Sequence, residues 1–466
     1  MASSEQQEQH REELGFAVER HAIDHIPAAQ RHGSVSSLFT IWFGANMHMT
    51  TLVTGALGTI LGLPLPWALL ALLLGNLFGA VFMALHSAQG PKLGIPQMIQ
   101  SRAQFGFHGA ILPLILVVLM YLGFFAGSIV LGGGALAAWS GLEFVPATMI
   151  LSAVVTVLSI YGYWAIHRLE RVFSVIAFIA FVYLSYRLFA VRDVGPAWHD
   201  GPASPGLFLL ILSIAATWQI TYAPYVADYS RYLPETTSIR AAFWWTYGGS
   251  VIATVWMMSL GAVAAAVAGN IFHGGSSAFI VDLAPGPIRP IVSGVIVLGV
   301  VAANVLNLYG IFMSVTTTLT AIRPFPVTGR TRAVMTVILS MIGTSIGIMG
   351  QGDFVTNLTN FILFLSYFLI PWTAINLADF YWVRKERYDL KAFFDPHGLY
   401  GSVNWRTMIA YLVAVAAEIP FMSTSFYTGW AVAPLGGADI AWIVGLVIAA
   451  ALYVVLMRPV IAAEAR

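Results

Sequence analysis

Polar side chains set into long apolar runs are the residues of this chain that could do chemistry. The stretch Trp42-Phe43-Gly44-Ala45-Asn46-Met47-His48-Met49-Thr50-Thr51 puts a glycine, an amide, an imidazole and two hydroxyls inside the first such run, residues 37–61. In hydrocarbon each unpaired polar group costs roughly several kcal/mol. Such residues therefore either pair with neighbouring helices or mark a helix break that turns backbone groups toward a ligand. The sixth apolar run repeats the pattern. Its middle reads Thr217-Trp218-Gln219-Ile220-Thr221-Tyr222-Ala223-Pro224-Tyr225, with Gln219 and Thr221 at mid-depth and Pro224 removing a backbone donor. The chemistry this offers is binding. A membrane-embedded enzyme would need paired Asp, a run of His ligands or a Ser with its base, and the His residues here are scattered.

The elements that carry these residues follow from composition. Of 466 residues 58% are hydrophobic and 9% charged, with mean hydropathy +0.80. A soluble domain carries about 25% charged residues, so this is an all-α integral membrane protein with the lipid bilayer as its solvent. Net charge of +1 gives no electrostatic case for a nucleic-acid partner. Without Cys there are no disulfides or thiolate metal sites, and no cofactor is expected. The polar residues 1–33 lack a signal-peptide pattern and read as a cytoplasmic tail.

Twelve hydrophobic spans are predicted, at 37–61, 66–88, 109–138, 143–165, 170–191, 206–227, 241–268, 288–320, 332–349, 355–383, 405–422 and 439–460. With both termini inside, 19 of the 22 Lys and Arg fall on the cytoplasmic side and only Arg187, Arg192 and Arg289 outside. The stretch Gly90 to Arg102 is too polar to span and too apolar for a free loop. It is expected to form a short helix at the membrane surface or under the bundle. Two interrupted helices five spans apart point to inverted repeats. The expected organisation is a first repeat over 34–192, a second of opposite topology over 193–388, and two accessory helices within 389–466.

Several motifs then resemble one family. The run Pro371-Trp372-Thr373-Ala374-Ile375-Asn376-Leu377-Ala378-Asp379-Phe380-Tyr381, with Val383-Arg384-Lys385 and Arg387-Tyr388-Asp389, is similar to the end of the tenth helix in the first nucleobase–cation symporter family. So are Gly94-Ile95-Pro96, Ser101-Arg102 and Phe105-Gly106 after the second helix, and Ala227-Asp228-Tyr229-Ser230-Arg231-Tyr232 after the sixth. Within the family the chain looks most like the purine–cytosine permease branch. The resemblance implies the leucine-transporter fold with two inverted five-helix repeats, in the plasma membrane, and symport of a nucleobase or related ring with Na⁺ or H⁺. Other rings, such as a hydantoin, allantoin or a vitamin precursor, remain the alternative cargo.

A nucleobase is flat, neutral and edged with donors and acceptors, so its pocket wants aromatic faces and side-chain amides or hydroxyls. On the third helix Phe124 matches the aromatic that stacks on substrate in the family, and Tyr121 lies one turn earlier. The sixth helix offers Trp218, Gln219 and Thr221, and the eighth offers Asn304 and Asn307. His48 matches a position that faces substrate in relatives. For a Na⁺ ion the resemblance maps ligands to the carbonyls of Gly44 and Met47 and to Asn304. Leu308 stands where Na⁺-dependent relatives carry a hydroxyl, which favours H⁺. His48, with a reference pKa of about 6.5, is a candidate proton carrier. Glu418, the acidic residue well inside the eleventh span, is expected to be structurally paired.

Overall fold

The computed structural model describes residues 25–161, 163–198, 201–323 and 325–464. Residues 1–24 of the expected tail lie outside the described residues. The fold is helical. The first apolar run is two helices, α1 (Ser37–Ala45) and α2 (Met49–Ile60), followed by α3 (Leu65–Ser87). A short helix α4 (Gln97–Phe105) leads to α5 (Ile111–Ser140), α6 (Phe144–Tyr161) and α7 (Tyr163–Val191). The sixth run is again two pieces, α8 (Pro205–Ile220) and α9 (Val226–Ser230), before α10 (Ile239–Ala268). Then come α11 (Asn270–Asp282), α12 (Arg289–Ile322), α13 (Gly329–Gly350), α14 (Phe354–Ala378), α15 (Trp405–Glu418) and α16 (Ala441–Glu464).

Among the described residues seven helical stretches are long and apolar enough to cross a bilayer, and α2, α6 and α8 are shorter apolar helices. One of the seven, Gly329–Val383, contains both α13 and α14. Large apolar side chains such as Ile115, Val175, Ile179 and Met341 point outward, the reverse of a soluble protein. Helix α11 was not anticipated, because Gly274-Gly275-Ser276-Ser277 reads as loop; its backbone departs from helical geometry at Gly275.

Two helix groups meet at the interrupted elements. In one, α2 packs along α10 and α3 along α8; in the other, α12 lies along α5. Glycine permits the closest approach. A Cβ at Gly261 would stand 1.8 Å from the Leu52 carbonyl oxygen, so α2 and α10 touch backbone to backbone.

Helix α4 resolves the two expectations for residues 90–102. All nine of its residues are buried, so it packs under the bundle rather than lying open at the surface. An amide just before it and one within it close onto the end of α14. Gln89 donates to Asn376 Oδ1 at 2.9 Å, and Gln104 donates to Asp379 Oδ2 at 2.7 Å. Tyr388 and Tyr453 also donate to the Asp379 carboxylate, at 2.8 and 2.7 Å, and Arg384 lies 3.5 Å away. Arg102 donates to the Phe393 carbonyl at 2.9 Å and stacks over Phe107; burial pushes its guanidinium down to about 10, still cationic at neutral pH. The motif residues around Asp379 thus form a polar lock at one end of the bundle.

Glu418 corrects an expectation. It is buried, but among the described residues neither carboxylate oxygen has a hydrogen-bond partner. It fits because Gly445 on α16 has no side chain: a Cβ there would stand 1.5 Å from Glu418 Oε1.

Candidate functional site

Both breaks are present, and they face each other. α1 ends at Ala45 and α2 starts at Met49, with His48 extended at φ −146° and ψ 165°. α8 ends at Ile220 and α9 starts at Val226, with Pro224 in the turn between them. The Asn46 side chain joins the two. Its Oδ1 accepts from Trp218 Nε1 at 3.0 Å and from the Tyr222 hydroxyl at 2.7 Å. Its Nδ2 donates to the Trp42 carbonyl at 2.9 Å and to Ser250 Oγ at 3.3 Å.

The network continues into the wall. Ser250 donates to Gln219 Oε1 at 2.6 Å, and Gln219 Nε2 donates to Asn76 Oδ1 at 3.0 Å. Asn76 Nδ2 ends the chain on the Leu72 carbonyl at 2.8 Å. These amides are buried and satisfied, which makes them rigid and costly to disturb.

Beside the breaks lies a cavity of about 580 Å³. This is within the roughly 300–1,000 Å³ of small-molecule sites. His48, Tyr121, Phe124, Trp218, Thr221 and Asn307 line it, so six of the eight candidate substrate residues come together. Phe124 meets Trp218 edge-on at 5.5 Å between centroids, and Phe361 at 5.1 Å. Gln219 and Asn304 stand behind the wall. Gln219 is held by Ser250 and Asn76. Asn304 Nδ2 donates to the Phe125 carbonyl at 3.2 Å, and its Oδ1 accepts from Asn307 at 3.1 Å. The sequence placed both at the ligand because it marks depth in a helix, whereas the face depends on neighbours.

The residues considered for a cation are dispersed in role. Gly44 packs on Ser174 of α7, whose Oγ would stand 2.0 Å from a Cβ at that position, and its carbonyl accepts from Met47 N at 2.9 Å. The Asn304 oxygen accepts from Asn307. His48 Nε2 lies 3.4 Å from Thr51 Oγ1, and its ring is 6.2 Å from that of Trp218.

Sequence reasoning missed a tyrosine wall. Tyr222, Tyr225 and Tyr229 line the cavity together with His32, Gly33 and Tyr232. Trp42 meets Tyr222 and Tyr229 edge-on, each at 5.4 Å. Their spacing of three and four was the available signal.

The chain resembles known transporters throughout. Residues 25–445 match the family described as permease for cytosine/purines, uracil, thiamine, allantoin. YxlA of Bacillus subtilis, named as a candidate purine-cytosine permease, is 48% identical over 442 residues, covering 95% of this chain and 96% of that protein. The purine-cytosine permease fcyB of Emericella nidulans is 27% identical, covering 95% and 88%. Among solved structures, Mhp1, a nucleobase-cation-symport-1 family transporter with bromovinylhydantoin bound, superposes with a TM-score of 0.76 at 20% identity, covering 96% of both chains. The fold is therefore of the leucine-transporter type.

Proposed function

The chain belongs to the permease family for cytosine/purines, uracil, thiamine and allantoin, the first nucleobase–cation symporter family, and from that premise we propose that it imports cytosine or a purine with a cation by alternating access. It is a transporter, not an enzyme. The observation that carries the nucleobase reading is the cavity between the two breaks, where Phe124 and Trp218 offer ring surfaces and Asn307, Thr221 and His48 offer polar edges. A neutral flat ring gains from stacking while its edge replaces water with fixed partners.

The architecture for this is twelve spans in the plasma membrane, with residues 34–192 and 193–388 as inverted five-helix repeats and two accessory helices beyond. Cytoplasmic termini are supported by the basic residues. Arg187 donates to the Leu283 carbonyl, Arg192 lies over Phe279 and Arg289 pairs with Asp282, so these three gather at one end of the bundle. Arg102 and Arg384 sit at the other, around Phe393 and Asp379.

The coupling ion is a proton in this reading. The side-chain oxygen of Asn304 already accepts from Asn307, and Leu308 stands where Na⁺-dependent relatives carry a hydroxyl, so a Na⁺ ion, wanting about six oxygens, finds few side-chain ligands here. His48 stands at the cavity and can carry a proton. Uptake of cytosine or adenine into proteoliposomes tests this. An inward proton gradient should drive accumulation, and His48→Gln should flatten its dependence on external pH between about 8 and 6. Uptake that needs a Na⁺ gradient and ignores a pH gradient would reverse the ion. Uptake of allantoin or a hydantoin in place of any nucleobase would reverse the cargo.

A further inference from the structure

Among the described residues three acidic side chains are buried, Asp379, Asp439 and Glu418, and they are not held alike. Asp379 accepts from Gln104, Tyr388 and Tyr453, with Arg384 at 3.5 Å. Asp439, just before α16, accepts from the Tyr367 hydroxyl, from Ser423 N at 2.9 Å and from Ala441 N at 3.0 Å. Both have the donors that an ionised carboxylate needs. Glu418, at the end of α15, has none for either oxygen.

The groups around Glu418 are engaged elsewhere. Tyr411, on α15, donates to the Phe368 carbonyl at 3.1 Å. Tyr367, on α14, donates to Asp439. Tyr427, from the loop that follows α15, donates to the Ile419 carbonyl at 3.1 Å. Arg102, on α4, is turned to the Phe393 carbonyl and the Phe107 ring. Arg406 on α15 lies twelve residues from Glu418, and Arg458 on α16 thirteen from Gly445, about 18–20 Å along their helices. The charge that Glu418 does meet is that of Asp439, which has the same sign. Against Oε1 stands Gly445, where even a Cβ would come within 1.5 Å, so α16 leaves room for the carboxyl and little else. A buried carboxylate with neither cation nor donor is costly by roughly several kcal/mol, and taking up a proton removes that cost. A metal ion in the proton's place would want about six oxygens, whereas a proton needs one.

We propose that Glu418 is a proton-binding site separate from the substrate cavity, held between α15 and α16 as a neutral carboxylic acid, and is therefore the point at which an apolar carbodiimide modifies this protein. The proposal does not depend on the cargo or on the coupling ion. The modification balances without a further reactant. The carboxyl O–H adds across one C=N bond of the reagent, its oxygen joining the central carbon and its proton a nitrogen. The acyl group then shifts to the other nitrogen as an N-acylurea. Nothing leaves, so the peptide gains the mass of one reagent. Leu412, Val413 and Ile419 face outward beside Glu418, which gives a lipid-soluble reagent its approach.

Infrared spectra of the purified protein at neutral pH test the proposal. Wild type minus Glu418→Gln should show one carboxylic-acid C=O stretch that shifts in D₂O. A pair of carboxylate stretches in its place would overturn the proposal. Should Glu418→Gln fail to fold, Glu418→Ala gives the same subtraction. Peptide mass spectrometry after treatment with dicyclohexylcarbodiimide locates the acid in wild type alone. The adduct should fall on Glu418, disappear in the variant, and not form with a water-soluble carbodiimide. An adduct on Asp379 or Asp439 with Glu418 unmodified would overturn it, because those two carboxylates are the ones supplied with donors.

Discussion

The two helix breaks meet in space but are built from different material. The first is a gap of three residues, Asn46 to His48, and its central act is performed by one amide. The second is a turn of five, Thr221 to Tyr225, whose tyrosines line the cavity. Asn46 spends its whole hydrogen-bonding capacity on Trp42, Ser250, Trp218 and Tyr222. It holds the second break in place, and the second break supplies the wall. A polar residue in the middle of a membrane helix can thus serve the site without touching its ligand.

That division can be tested from its strongest point downward. Asn46→Leu should have the largest effect, because it leaves Trp218 Nε1, the Tyr222 hydroxyl and Ser250 without their partner in a buried place. A loss of about 3 kcal/mol is expected, seen as a lower midpoint of thermal unfolding in detergent together with loss of binding. An unchanged midpoint would remove Asn46 from its role as the tie between the breaks. Gly44→Ala comes next. The new methyl meets Ser174 Oγ and Cβ at 2.0 and 2.9 Å, so about 1–3 kcal/mol of overpacking should appear. Ser174→Gly in the same chain should recover most of it; failure to recover would mean that the first break depends on glycine for its backbone alone. Pro224→Ala should do least, below about 1 kcal/mol, since the Tyr222 bond to Asn46 and its ring contact with Trp42 hold the turn without the proline. Hydrogen exchange over residues 221–225 would check it. A slow, fully helical segment there in the variant would show that Pro224 enforces the break.

Particular residues show what the sequence could and could not convey. Asn46, His48 and Pro224 point to the breaks because a polar group inside a span must find a partner and a proline removes a backbone donor, and both needs are visible from residue type alone. Trp218 and Gln219 are adjacent, and Asn304 and Asn307 lie one turn apart, yet one of each pair faces the cavity and the other enters the wall. Depth is a property of position in the chain, whereas orientation is decided by Asn76, Ser250 and Phe125, which come from distant segments. The tyrosine wall was readable from its helical spacing but lay past the break, where that spacing carries less weight. Glu418 was unreadable for a related reason: its space is made by a missing side chain on α16.

In the proposed function the cavity between the breaks holds a planar base against Phe124. This side chain offers the cleanest test, because it faces the cavity, is half-buried and makes no hydrogen bond that its removal would orphan. Binding of cytosine and adenine to purified wild type and Phe124→Ala, each checked for its unfolding midpoint, measures it directly. A loss of about 1–3 kcal/mol of binding is expected in the variant, as for other base–aromatic stacks, with Phe124→Leu losing affinity and keeping its abundance. Equal affinity in folded Phe124→Ala would contradict it and return Phe124 to helix packing.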